Sequence, residues 1–119
     1  MELPEPWELI SFFESEPSLS DPHLPWFYNR VTFSLERDGD VIEARIEPSY
    51  RLFVLEWKAP DGATRLRLDL TGVDRLAVEE DQACAVLTAS FPESSPLYEL
   101  RLQVRPHVGV SWGADLYSP

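Results

Sequence analysis

The side chains with the plainest chemical capacity in this chain are His23, His107, Cys84 and the carboxylate run Glu79-Glu80-Asp81. An imidazole serves as a general base, a thiolate as a nucleophile, and grouped carboxylates as metal ligands or acid–base pairs. Each histidine stands beside or near prolines in a loop-like stretch, and neither belongs to an HExxH element or to a set of spaced cysteines. Cys84 sits between Ala83 and Ala85 with no cationic neighbour in sequence to stabilise a thiolate, so it reads as a small apolar packing residue. Asp38-Gly39-Asp40 has the opening of a calcium loop, but no glutamate follows at ligand spacing on a helix, and a hairpin turn accounts for it better. The five glycines stand singly, which excludes a phosphate-cradling loop. The expectation is a chain with no catalytic residues, no metal site and no cofactor, a non-enzyme.

Two features remain that bear on binding. Residues 1 to 27 hold six acids (Glu2, Glu5, Glu8, Glu14, Glu16, Asp21) and no Lys or Arg. A second acidic cluster is Glu79, Glu80 and Asp81. Beside the arm, Trp26-Phe27-Tyr28 offers aromatic anchors of the kind found at interface hot spots, with Trp112 as a further candidate. The candidate partner-binding residues are therefore Glu14, Glu16, Asp21, Trp26, Glu79, Glu80 and Asp81. Their solvated alternative is a solubilising acidic surface, and the aromatics equally suit a core.

Charge narrows the partner. Ten Lys and Arg against 21 Asp and Glu give a formal net charge of −11, which repels phosphate backbones and anionic membranes and suits a basic protein. Nucleic acid and membrane are not expected as partners; exposed sheet edges admit a homodimer. Acids interrupt any apolar leader, no long apolar run spans a bilayer, and the single cysteine forms no internal disulfide, all of which points to the cytoplasm.

These residues need elements to position them. At 119 residues with 44% hydrophobic and 12% aromatic content, the chain has the size and composition of one globular domain, residues 1–119. Trp7, Leu9, Ile10, Phe12 and Phe13 fall at helical spacing after Pro6, which predicts a short helix to about Glu14. Residues 17 to 27 carry three prolines and read as a crossing from helix to sheet, and 28 to 114 as antiparallel sheet. Alternation predicts strands at Tyr28–Arg37, Val41–Glu47, Arg51–Lys58, Thr64–Leu70, Val73–Glu79, Gln82–Phe91, Leu97–Arg105 and Val108–Trp112, joined by turns at Asp38-Gly39 and Ala59–Gly62. Leu52 to Trp57 is apolar in both phases of the alternation and reads as the sheet's centre, wanting cover on both faces. Ala83, Ala85 and Ala89 leave room for a bulky neighbour, for which the helix offers Trp7 and Phe13. The fold class is α+β and β-rich: a mostly antiparallel twisted sheet or partly closed barrel of seven to eight strands with one N-terminal helix.

The pattern resembles bacterial immunity proteins of polymorphic toxin systems, of the small helix-then-strands type. It does so through the aromatic helix Trp7–Phe13, the hairpin Val31–Ile46, the segment Leu66–Leu76, and the closing pair Tyr98–Leu102 and Val108–Trp112. The resemblance implies a non-enzymatic inhibitor that binds a cognate toxin. A small apolar ligand carrier in a barrel-like cup is the alternative, and it requires an apolar cavity with converging polar groups.

Overall fold

The computed structural model describes residues 1–113 and 115–117; Ala114, where the expected sheet ends, lies outside them. One helix, α1 (Pro6–Phe13), precedes ten strands: β1 (Ser18–Leu19), β2 (Val31–Arg37), β3 (Asp40–Glu47), β4 (Leu52–Lys58), β5 (Thr64–Leu70), β6 (Arg75–Glu80), β7 (Ala85–Ser90), β8 (Leu100–Arg105), β9 (Gly109–Trp112) and β10 (Asp115–Tyr117). Two 3-10 turns, Trp26–Tyr28 and Pro48–Tyr50, interrupt them. The strands sort into two five-stranded sheets, ordered β1-β2-β3-β4-β5 and β10-β9-β8-β7-β6, every neighbouring pair antiparallel. The β-rich α+β class is as expected. Among the described residues neither sheet closes on itself into a barrel.

By their internal contacts the residues divide into two compact units, Phe13–Gly72 and a discontinuous one of Met1–Phe12 with Val73–Pro119. In the contiguous unit, Arg37 pairs with Asp40 across the Asp38-Gly39 turn, whose residues have φ of 54° and 87°. Two successive positive angles are what a tight two-residue hairpin loop demands, and Asp-Gly supplies them. Phe33, Ile42, Ala44, Ile46, Phe53, Leu55 and Trp57 line one buried face of this sheet. Phe13 stacks on Phe33 at 4.6 Å between ring centroids.

The doubly apolar strand is covered differently from the expectation. Phe53, Leu55 and Trp57 are buried, and so is Val54 on the other face. On that face, however, Val54 lies in register between Arg45 and Asp69, within a lattice of charged side chains. Glu56 there takes Lys58 at 3.1 Å and Arg67 at 2.8 Å. The aliphatic stems of long charged side chains are able to shield a valine on such a face.

The proline-rich crossing is more ordered than a linker. Ser18 and Leu19 pair with Thr32 and Val31, too short a run to show an alternation. Beyond them the loop is gathered by Asn29, the one buried polar residue among those described. Its Oδ1 accepts from the Ser20 hydroxyl and the Asp21 amide, and its Nδ2 donates to the carbonyls of Asp21, Leu24 and Pro25. Two amide protons facing three carbonyls means that one is shared.

In the discontinuous unit, β6 to β10 form a meander, with Leu76, Ala85, Leu87, Ala89, Leu100, Leu102 and Val104 on its buried face. Glu2 extends the β6 side through a parallel bridge to Arg75: its N–H donates to the Asp74 carbonyl at 2.8 Å, and its carbonyl accepts from Leu76 at 2.9 Å. Helix α1 buries Leu9 and Phe12 but not Trp7, which is 68% exposed. Trp7 therefore fills no gap over the alanines. At about 100° per residue it stands about 200° around the helix from Leu9, on the opposite side.

Replacing Asn29 by Ala should cost about 2–3 kcal/mol, since it strands an amide and several carbonyls; urea denaturation measures it, and an unmoved midpoint would refute the role given to this side chain. The hydrogen bond from Lys58, helped by its charge and by Arg67, holds the Glu56 carboxyl below the usual carboxylate range against a partial burial effect of opposite sign. A depressed folded pKa stabilises above the unfolded value of about 4.3 and is lost as the pH falls through the folded one. Wild type should thus be slightly more stable than E56Q at neutral pH, with the gap closing below about pH 4; parallel melts across that range decide it.

Candidate functional site

The first two turns of α1 run beside the end of β6, and the space between them is an open cleft of about 640 Å³. Trp7, Glu8 and Ser11 form its helical wall; Val78, Glu80 and Arg105 form its strand wall, with Asp81 and Gln82 at one end. The wall is fixed by a small network. Glu80 Oε1 accepts from the Ser11 hydroxyl at 3.0 Å and from Arg105 Nη2 at 2.7 Å. The same Nη2 donates to the Asp81 carbonyl at 3.0 Å.

Asp81 shapes the adjoining turn. Its Oδ1 accepts from the amides of Ala83 and Cys84 at 2.8 Å each, and its own N–H donates to the Cys84 carbonyl at 2.8 Å. An aspartate closing a turn through its own side chain is a local structural device. Glu79 alternates to the other side of the strand and lines a smaller hollow of about 310 Å³ with Cys84, Val86 and Arg101. The three acids expected at this site are thus together, and each has a distinct setting. Glu80 is held by Arg105, Asp81 is engaged in its turn, and Glu79 is exposed on β6.

The remaining expected residues belong to the contiguous unit. Glu14, at φ 56° just after α1, is ion-paired with Arg37. Glu16 is exposed. Asp21 takes part in the Asn29 network, and its Oδ1 accepts the His23 amide at 3.0 Å. Trp26 is half-buried and meets Phe33 edge-on at 6.0 Å, so it is an anchor of the loop. Its neighbours are the accessible aromatics: Phe27 and Tyr28 are exposed, edge to face at 5.2 Å, and Tyr50 stands exposed on the other 3-10 turn. Trp112 belongs to the discontinuous unit and donates its indole N–H to the Tyr98 carbonyl at 2.8 Å.

The imidazoles of both histidines lie on exposed residues; His107 engages through its backbone carbonyl, which accepts from Gln103. Cys84 is a free, half-buried thiol. Among the described residues no group of three or more His, Cys, Asp and Glu is arranged to hold a metal ion, and no helix is long and apolar enough to cross a membrane. Sequence reasoning missed Trp7 and Arg105 as parts of a site. The phase of Trp7 against Leu9, Phe12 and Phe13 was the available signal; Arg105, in the last position of an alternating strand, carried none.

Charge divides unevenly between the units. The discontinuous one has ten acids against three cations, a net of −7; the contiguous one has eleven against seven, a net of −4. The cleft thus lies in the more acidic part of the chain.

No family model and no curated protein matches the sequence. Among solved structures the chain is similar to a component of the "Contact-dependent growth inhibition toxin - immunity protein complex from Klebsiella pneumoniae 342", with a TM-score of 0.76 and 17% identity over 93% of this chain and 94% of that one. The likeness is one of fold, and it spans almost the whole of both chains. It supports the immunity-protein-like fold expected from the order of helix and strands.

Because Trp7 projects away from the buried side of α1, W7A should leave stability within about 0.5 kcal/mol of wild type, whereas L9A should cost about 2–4 kcal/mol. Thermal melts of the two variants compare them directly; a large loss in W7A would mean that the indole is a packing residue and not an accessible wall of the cleft.

Proposed function

We propose that this chain is a non-enzymatic, acidic inhibitor of the immunity type, one binding domain over residues 1–119, which occludes a basic site on a toxin partner in the bacterial cytoplasm. The observation that carries this reading is the near end-to-end correspondence with a component of a toxin–immunity complex. The charge of −11 accords with it, since opposite charge on the partner raises the encounter rate and fixes orientation.

Binding would centre on the cleft. Trp7 presents an accessible indole beside Glu8, Glu80 and Asp81, a setting suited to an arginine or lysine side chain, whose charge is attracted both to the ring face and to the carboxylates. Glu79 extends the acidic surface, while Glu14, Glu16, Asp21 and the aromatic turn at Trp26 supply a second candidate contact. Inhibition then needs only steric cover and no chemistry. A carrier needs a closed cup, and among the described residues neither sheet closes on itself, which favours the inhibitor reading.

Co-expression with the protein encoded beside this chain's gene is the direct test. Relief of that protein's toxicity and co-purification of the pair are expected; the absence of both protection and a complex would overturn the proposal. Within such a complex, W7A should weaken binding about tenfold or more. Neutralising Glu14, Glu16 and Asp21 together should lower affinity and flatten its salt dependence. An affinity indifferent to both changes would remove these residues from the interface.

A further inference from the structure

A sheet that does not close has edges, and the four here are not equivalent. The β1 edge is two residues long, and the β10 edge three. The β6 edge carries the Glu2 bridge across its first residues. Brevity and cover are the ordinary protections of an edge. The seven residues of β5, by contrast, pair only with β4 among the described residues and end their sheet.

The β5 edge has a defined regular part. Leu66 lies opposite Trp57 and Thr64 opposite Lys58, so Arg65 is an extra residue and the strand is bulged there. From Leu66 to Leu70 the ladder is regular, and these residues read Leu-Arg-Leu-Asp-Leu. Leu66 and Leu68 share a face with Phe53, Leu55 and Trp57; unlike those three they are half-exposed, because nothing in the sheet flanks them on one side. The segment is symmetric in polarity about Leu68 and opposite in charge on either side of it.

We propose that β5 pairs antiparallel with β5 of a second copy of this chain, with the two-fold axis at Leu68, joining two five-stranded sheets into one of ten. In that register Arg67 faces Asp69 of the second copy and Asp69 faces its Arg67. Leu68 meets Leu68, and each Leu66 meets a Leu70, continuing the apolar row across the axis. Centring on Arg67 or on Asp69 instead sets identical charges opposite each other, and centring on Leu66 sets Arg65 against Arg67, all of which disfavour pairing. Such an interface is isologous, the commonest kind in soluble homo-oligomers. Arg67 already donates Nη1 to Glu56 at 2.8 Å and Nε to Asp69 at 3.2 Å, and a guanidinium has donors to spare for a carboxylate across the axis. The edge also belongs to the less acidic unit, where self-association meets less repulsion. This dimer is independent of the toxin-binding reading.

Sedimentation equilibrium of the full chain over a concentration series tests it. Wild type should show a reversible monomer–dimer equilibrium, and R67D or D69R alone should weaken it at least about tenfold, by setting like charges opposite each other twice. An equal mixture of R67D and D69R should restore dimers, because every Arg67–Asp69 position then faces an opposite charge. Far-UV circular dichroism of each single variant establishes that it is folded, and L68K, which places a charge on the axis, should be monomeric. Wild type that stays monomeric at its highest soluble concentration overturns the proposal, as does a dimer unchanged by the single variants or a mixture that remains monomeric.

Discussion

A buried indole must find an acceptor for its N–H, and in this chain that requirement ties three strands together. Trp57 is wholly buried in β4, and its Nε1 donates to Asp40 Oδ2 at 3.0 Å. Asp40 follows the hairpin turn and opens β3, and its other oxygen lies 3.6 Å from Arg65, the bulged residue of β5. One carboxylate thus receives the core tryptophan, closes the hairpin end of β3 and stands beside the irregularity in β5. The tight Asp38-Gly39 turn matters because it places Asp40 there: a longer loop would leave the indole proton without its acceptor, at the full desolvation cost.

From that corner, much of the contiguous unit is readable in sequence. The strands Thr64–Leu70 and Val41–Glu47 announce themselves by strict alternation, and Asp-Gly and Pro-Asp-Gly mark their turns. What could not be read depends on partners distant in the chain. Consecutive strands β5 and β6 enter different sheets, although the Thr71-Gly72 interruption between them looks like any other turn. The two residues of β1 are strand only because β2 lies beside them. Asn29 has no sequence signature: it earns its burial from carbonyls that the proline-rich loop brings around it.

The candidate site follows the same division. The acidic run at Glu79 is plain in the sequence, as is the excess of acid before residue 28. Composition does not reveal that the arm is shared between the units, Glu2, Glu5 and Glu8 falling in one and Glu14, Glu16 and Asp21 in the other. Nor does it reveal that carboxylates equal on paper are unequal in setting. Glu80 is held by Arg105 and Ser11, Asp81 by its own turn, and Glu14 by Arg37. Trp7, which an apolar count assigns to the core, is the residue that most needed a helical phase and not a hydrophobicity to place it.

The discontinuity of the acidic unit has a consequence for how the chain acquires its structure. Residues 13–72 can complete their meander from neighbours in sequence, strand after strand. Glu2 and Ser11 cannot: the hydroxyl of Ser11 meets Glu80 across a separation of 69 residues, and Glu2 must wait for Asp74 and Leu76. Contacts that close loops of this length are slow to form and carry the largest entropic cost of closure. As the chain is synthesised the aromatic helix is made well before β6, so the Ser11–Glu80 contact waits until both are present.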